Sequence, residues 1–325
     1  MDKPNYKIAV VIPCYKVTKH LHHVISKIGP EVHAIYIVDD HCPENSGSFI
    51  ENTCKDKRIT VLKHEVNQGV GGAVMTGYKA AINDNMDIIV KIDGDDQMDG
   101  RQLSRLIMPI VAGLADYTKG NRFYDLSNTH GMPILRLLGN TVLSFMNKLS
   151  SGYWEIFDPT NGYTAIHASV AKRLPFEKIS KRYFFESDIL FRLNTLRAIV
   201  MDVPMQARYA DEKSNMHISK LIIEFLYKHH KNFWKRIFYN YYLRNMSIAS
   251  IELPLGIIMV LFGMVFGCYK WITYSTAGII SSPGTVMLAA LPIIIGLQLI
   301  LSFLGHDSRA SSTIPLHIFM KDHKL

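Results

Sequence analysis

Lys91-Ile92-Asp93-Gly94-Asp95-Asp96-Gln97-Met98-Asp99 sets four carboxylates and a glutamine directly after the apolar run Ile88-Ile89-Val90. Asp93 and Asp95 would project from the mouth of a buried strand. There their hard oxygens suit Mg²⁺ or Mn²⁺ held against a diphosphate. Asp and Gly also dominate solvated turns, so the stretch alone leaves both readings open.

Other polar clusters follow other apolar runs. Pro13-Cys14-Tyr15 comes after Ile8 to Ile12, and Asp39-Asp40-His41 after Ala34 to Val38. A carboxylate at such a point can accept hydrogen bonds from a ribose or a base, although Asp39 also suits a helix N-cap. Asn67-Gln68-Gly69-Val70-Gly71-Gly72-Ala73, followed by Gly77, permits close backbone approach and opens a helix whose N-terminus can face a phosphate. It is neither a P-loop nor a dinucleotide fingerprint, since no Gly-Lys-Ser/Thr follows and it does not come after the first strand. Alone, it equally fits tight packing.

The elements that must position these clusters are legible from periodicity. Strands are expected at residues 8–12, 34–38, 59–62 and 88–92, with helices at 20–28, ended by Gly29-Pro30, and after Gly69 as far as Ala81. Strands alternating with helices imply a parallel, doubly wound α/β sheet whose ligand crevice lies outside the C-terminal strand ends. Each polar cluster falls on such an end.

Composition narrows the setting. The chain has 325 residues, 48% of them hydrophobic, and a formal net charge of +8. Lys and Arg concentrate between Lys213 and Arg244, which implies a phosphate-bearing partner. Four cysteines without metal-ligand spacing read as reduced thiols of a cytosolic compartment, and the first apolar run is a strand rather than a signal peptide.

From Ile218 the pattern changes. Ile218, Leu221, Ile222, Phe225 and Leu226 form a helical stripe among Lys220, Lys228, Lys231, Lys235 and Arg236, with Phe233 and Trp234 nearby. Such a helix suits an anionic membrane interface. Leu253 to Trp271 and Val286 to Leu304 are then long enough to span a bilayer, which favours anionic lipids over nucleic acid as the partner of the basic charge. A buried pair of soluble helices is the competing reading. The nearly uncharged connection 272–284 and the basic flanks, including Arg309, Lys321 and Lys324, place both ends of a hairpin in the cytoplasm at the inner (plasma) membrane.

The motifs VVIPCY, IVDDHCPENS, NQGVGGAVMTGYKAA and KIDGDDQMD, in this order, resemble the family 2 glycosyltransferases of GT-A fold. Later motifs resemble their polyprenyl-phosphate branch, similar to dolichol-phosphate mannose synthase and the bactoprenol sugar transferases. The resemblance implies a GT-A catalytic domain at 1–215, interfacial helices at 216–247, a transmembrane hairpin at 248–305 and a cytoplasmic tail at 306–325. It also implies a nucleotide-diphosphate sugar as donor, polyprenyl phosphate as acceptor and Mg²⁺ or Mn²⁺ as cofactor, and leaves room for a homo-oligomer.

By the same resemblance, Pro13, Tyr15, Asp39, Asp40, Asn67, Gly69, Gly71 and Asp93 would bind the nucleotide sugar. Asp93, Asp95 and Gln97 would hold the metal, with Asp95 and Gln97 counted among the catalytic residues. Arg122, Arg136, Arg208 and Glu186 would meet the acceptor, since guanidinium forks suit a phosphomonoester. Asp158, in Phe157-Asp158-Pro159-Thr160-Asn161-Gly162-Tyr163, would be a base or an orienting carboxylate, with an Asx-turn before Pro159 as the alternative. Glu186 and Asp188 also fit as first-turn helix charges. Lys16-Val17 stands where Asn-Glu is common, Met98 where His is frequent, and Thr164 where many relatives carry Arg. The implied reaction is inverting transfer from a UDP-sugar to undecaprenyl phosphate. Transfer to a lipid or glycan hydroxyl and an inactive nucleotide-sugar-binding adaptor are the alternatives.

Overall fold

A computed structural model describes residues 6–124, 134–159, 161–205, 218–310 and 312–323. The chain divides into two compact units, Met1–Trp234 with Ser312–Leu325, and Lys235–Ser311.

The first unit opens with β1 (Ile8–Cys14), α1 (Thr18–Ser26), β2 (Val32–Asp39), α2 (Ser46–Thr53), β3 (Ile59–Lys63), α3 (Val70–Asn83) and β4 (Ile88–Lys91). It continues with α4 (Leu103–Val111), β5 (Tyr117–Asn121), α5 (Ile134–Ser151), β6 (Thr164–His167), α6 (Ala168–Ala171), α7 (Phe185–Leu196) and β7 (Val200–Pro204). Among the described residues, seven strands form one sheet in the order β3-β2-β1-β4-β6-β5-β7. β1 pairs in parallel with β2 and β4, and β2 with β3, as the alternation of elements predicts. The sheet is mixed, because β6 runs antiparallel to both β4 and β5. A short strand buried on both faces carries the same apolar pattern in either direction, so its sense is not encoded locally.

β2 and β3 lie on one side of β1 and β4 on the other, which makes the β1/β4 boundary the topological switch point. Along β1, Ala9 and Val11 enter one core with α3 and α7, whereas Val10 and Ile12 enter the other with α1 and α4. At Gly77 of α3, a Cβ would lie 2.3 Å from a methyl of Val11. Glycine therefore lets α3 lie directly on β1, which fixes where the loop preceding the helix meets the strand ends.

The segment anticipated as a tail folds into this first unit. Asp116, fully buried, accepts hydrogen bonds at 2.8 Å from the amides of Ile199, Leu316 and His317 and pairs at 2.8 Å with His317 Nδ1. The His317 ring stacks on His167 with 4.5 Å between centroids. Burial pushes the Asp116 carboxyl up, but these bonds outweigh it and hold the group below the usual carboxylate range.

α8 (Ile218–Phe238) places Phe225, His229 and Asn232 against the first unit, through Phe184, Ser150 and Asp188. Ile222, Ile223, Leu226, Tyr227 and Trp234 remain exposed, so its other face is apolar and flanked by lysines. Of the expected stripe, Phe225 thus faces the first unit while Ile222 and Leu226 are exposed.

In the second unit, α9 (Ile248–Ala277) and α10 (Pro283–Arg309) each contain an 18-residue stretch, of mean hydropathy 2.2 and 2.4 respectively, and are long and apolar enough to cross a membrane. Their backbones touch where small residues meet. A Cβ on Gly256 would lie 2.8 Å from the Gly296 carbonyl, and one on Gly263 2.6 Å from that of Ala289. Arg236 grips Asp307 with bonds of 2.6 and 2.9 Å, and Tyr241 donates to the same carboxylate at 2.8 Å.

Candidate active site

The ends of β1 and β4 frame a cleft of about 440 Å³ in the first unit. Pro13 and Tyr15 arrive from β1, Asp40 from β2, Asn67 and Gly69 from the loop before α3, and Asp93 and Asp95 from the turn after β4. A second pocket of about 130 Å³ adjoins it, lined by Gln97, Arg122, Asn161 and Tyr163. Asp93 and Asp95 line both cavities.

The anticipated donor residues separate by geometry. Asp40 faces the cleft, but its oxygens also accept the amides of Gln68 and Gly69, each at 2.7 Å, and pair with His64 at 2.8 Å. It therefore pins the glycine loop. Asp39 lies outside the cleft lining, and its oxygens accept the amides of Cys42 and Gly47 at 2.7 Å each, anchoring the start of α2. Two adjacent acids thus brace the walls on either side of the cleft.

Gly69, which lines the cleft, and Gly71 both make close packing contacts. Gly69 adopts φ +87°, and a Cβ there would lie 2.6 Å from the Lys181 carbonyl. At Gly71, which lies off the lining, a Cβ would meet the Ser180 carbonyl at 2.5 Å. These contacts let the segment at 180–183 close over α3, and Arg182 and Tyr183 thereby join the cleft. Sequence reasoning missed both. The glycine cluster was the available signal that another strand of chain must approach here.

Within residues 93–99 the acids have distinct partners. Asp96 binds Lys27 at 2.5 Å, Asp99 binds Arg101 at 2.8 Å, and Asp95 accepts the Gln97 amide at 3.1 Å. Asp93 lies 2.9 Å from the ammonium of Lys91, which also pairs with Glu186 at 3.1 Å. The Lys91 side chain is 1% exposed. Burial opposes its charge, but Asp93 and Glu186 outweigh that effect and hold it above the usual lysine range. Glu186, expected at the acceptor, is therefore engaged beneath the cleft, where the nearby buried cation attracts it. Lys91 received no role from the sequence, since a lysine ending an apolar run reads as a strand terminus.

Arg122 and Asp158 form a two-pronged pair, with bonds of 2.7 and 3.0 Å. Asp158 is 2% exposed and lines neither pocket, whereas Arg122 borders the smaller one. Burial raises the Asp158 carboxyl, but Lys119 and Arg122 outweigh it and hold the group below its ordinary range. Lys119, buried beside them, is pulled by desolvation down to about 8. Arg136 lies on α5, but its side chain falls outside the described residues, as does the whole of Arg208.

Residues 9–174 match the profile of Glycosyl transferase family 2. Among curated relatives, the chain is 28% identical over 218 residues to a UDP-N-acetylglucosamine–dolichyl-phosphate N-acetylglucosaminyltransferase of Methanococcus voltae, covering 63% of this chain and 86% of that protein. It is 26% identical over 209 residues to a polyprenol monophosphomannose synthase of Mycolicibacterium smegmatis, covering 62% and 78%. Among solved structures, glucosyl-3-phosphoglycerate synthase of Mycobacterium tuberculosis, in complex with Mn²⁺, UDP-glucose and phosphoglyceric acid, superposes with a TM-score of 0.54 at 16% identity, covering 72% of this chain and 80% of that one. The shared architecture is the GT-A arrangement.

Proposed function

The chain belongs to Glycosyl transferase family 2, and on that premise we propose that it transfers a sugar from a UDP-sugar to undecaprenyl phosphate, with inversion, giving a polyprenyl-monophosphate sugar. The observation that carries this reading is the pair Asp93 and Asp95, which borders both the larger cleft and the Arg122 pocket. A donor in the first cavity and a phosphate in the second would meet at these two side chains. The named relatives support a polyprenyl-phosphate acceptor, and the one from Methanococcus voltae supports a uridine donor.

The residues fit a hard divalent cation. Asp93 and Asp95 supply carboxylate oxygens and Gln97 borders the same pocket, while among the described residues no three acid, His or Cys side chains converge on one point. Mg²⁺ is typically held by one or two carboxylates plus substrate phosphates, and when bound it would neutralise the charge of the leaving diphosphate. Asp93, Asp95 and Gln97 would hold it.

The chain's own residues account for the rest. Arg122 presents a cation to the acceptor phosphate, and Asp158 orients that guanidinium through the paired bonds. A carboxylate held low by its partners is a poor base. A phosphate acceptor is already anionic near neutral pH and needs none, which favours it over a hydroxyl acceptor.

α9 and α10 would span the membrane as a hairpin, with the exposed apolar and basic face of α8 at the interface. Residues 312–323 fold into the same unit as residues before 235, which supports placing both hairpin ends on one side. The basic flanks favour the cytoplasm as that side. The acceptor phosphate could then reach the site without its chain leaving the bilayer.

The test incubates the purified chain in bicelles with undecaprenyl phosphate, Mg²⁺ or Mn²⁺, and a panel of labelled nucleotide sugars. Labelled lipid is expected with one UDP-sugar. Label in a soluble acceptor and none in lipid would overturn the reading.

A further inference from the structure

β4 delivers a cation into the sheet at its last residue. Ile89 of this strand lies in the core shared with α3 and α7, and Lys91, two residues on, points to the same side. An isolated ammonium there would be strongly disfavoured, so its partners define its role. Those partners are Asp93 at 2.9 Å and Glu186, in the first turn of α7, at 3.1 Å. Gly162 makes room for the group, since a Cβ there would lie 2.3 Å from Lys91 Nζ and 2.4 Å from Asp93 Oδ2. Three distant parts of the chain therefore converge on one buried ammonium.

From this geometry we infer that Lys91 is the internal counter-ion of the Asp93–Asp95 pair, weakening its hold on a bare divalent cation so that the cation is captured together with the donor diphosphate. The inference rests on the metal-assisted reading above and deepens it. With Lys91 present, three carboxylates (Asp93, Asp95 and Glu186) are offset by one ammonium within direct contact of two of them. Coulomb repulsion between that buried ammonium and an incoming cation at Asp93 acts over a few ångströms, although Asp93 itself is 27% exposed at the cavities. A diphosphate brings negative charge and further oxygen ligands, which compensate that repulsion. Glu186 holds Lys91 in place beneath the cleft and adds its own charge to the balance. Lys91 is thus a positioning residue, acting on the substrate through Asp93.

The experiment titrates the full chain in bicelles with Mn²⁺ and no nucleotide, following the free ion by electron paramagnetic resonance. Lys91→Met should bind bare Mn²⁺ at least ~10-fold more tightly than the unmodified chain, an effect of about 1.4 kcal/mol. Glu186→Gln should bind it more weakly, and the charge-balanced double variant should return close to the original value. Lys91→Arg, which keeps the charge, should stay low. Unchanged or weaker bare-ion binding in folded Lys91→Met would overturn the inference. If that variant does not fold, an unchanged affinity in Glu186→Gln would do so instead. A parallel measurement of labelled UDP and GDP retention tests the underlying reading. Retention by the unmodified chain that Mn²⁺ fails to stimulate would remove the metal-assisted donor site itself, whereas stimulated retention with unaltered bare-ion affinities would remove only the role of Lys91.

Discussion

Asp93, Asp95, Asp96 and Asp99 are chemically the same side chain and physically four different ones. Asp96 and Asp99 are paired with Lys27 and Arg101, and Asp99 borders only the smaller pocket, while Asp93 and Asp95 face both cavities. Asp95→Asn should therefore lower metal-dependent turnover by on the order of 10²–10³-fold, the scale of losing one preorganised electrostatic contact, with the fold retained. Turnover within twofold of the original would remove Asp95 from the metal shell. Asp96→Asn should change turnover little. At the second pocket, Arg122→Lys loses the two-pronged grip on Asp158 and should raise KM for the lipid phosphate more than it lowers kcat. The reverse split would place Arg122 in the chemical step rather than in acceptor binding.

At the scale of elements, the strands and their ends were legible because an apolar run with a polar terminus has one physical reading inside a sheet. What the ends do was less legible. Asp39 and Asp40 look alike in sequence, yet one anchors α2 and the other the glycine loop, because amide donors brought by later residues decide the partner. The antiparallel sense of β6 and the approach of Arg182 and Tyr183 depend on long-range packing that no local pattern carries. A similar packing event makes α8 sensitive to acid. His229, buried between Ser150 and Phe184, is pulled by desolvation down to about 4. Its neutral form is favoured when folded, so the unfolded chain binds the extra proton between about 6.5 and 4. Stability should then fall as pH falls through that window, by at most about 1.4 kcal/mol per pH unit for this group. Hydrogen exchange along α8 checks this, with lower protection factors expected at pH 5 than at pH 7 once the slower base-catalysed intrinsic exchange at pH 5 is divided out. His229→Gln should flatten the difference, and an unchanged pH dependence in that variant would assign the effect elsewhere.

Across the whole molecule, the chain leaves the first unit at Trp234, forms two long apolar helices, and re-enters the first unit at Ser312. The helices were readable from composition, but the return was not, because Asp116 and His317 lie 201 positions apart and neither sits in a recognisable motif. Asp116→Ala leaves buried amides without their acceptor and should cost about 2–4 kcal/mol of stability for the first unit. Because the Asp116 carboxyl is held low in the fold, its contribution is present above the unfolded carboxylate value and is lost as pH falls through the folded one. Thermal melts of the variant at pH 7 check the first point, and an unchanged midpoint would contradict it. This layout and the proposed chemistry meet in one lipid product, which mass spectrometry can read after incubation with undecaprenyl phosphate and a UDP-sugar. The lipid should become heavier by one sugar residue and still carry a single phosphorus. A lipid carrying two phosphorus atoms, or sugar found only on a hydroxyl-bearing acceptor, would contradict it.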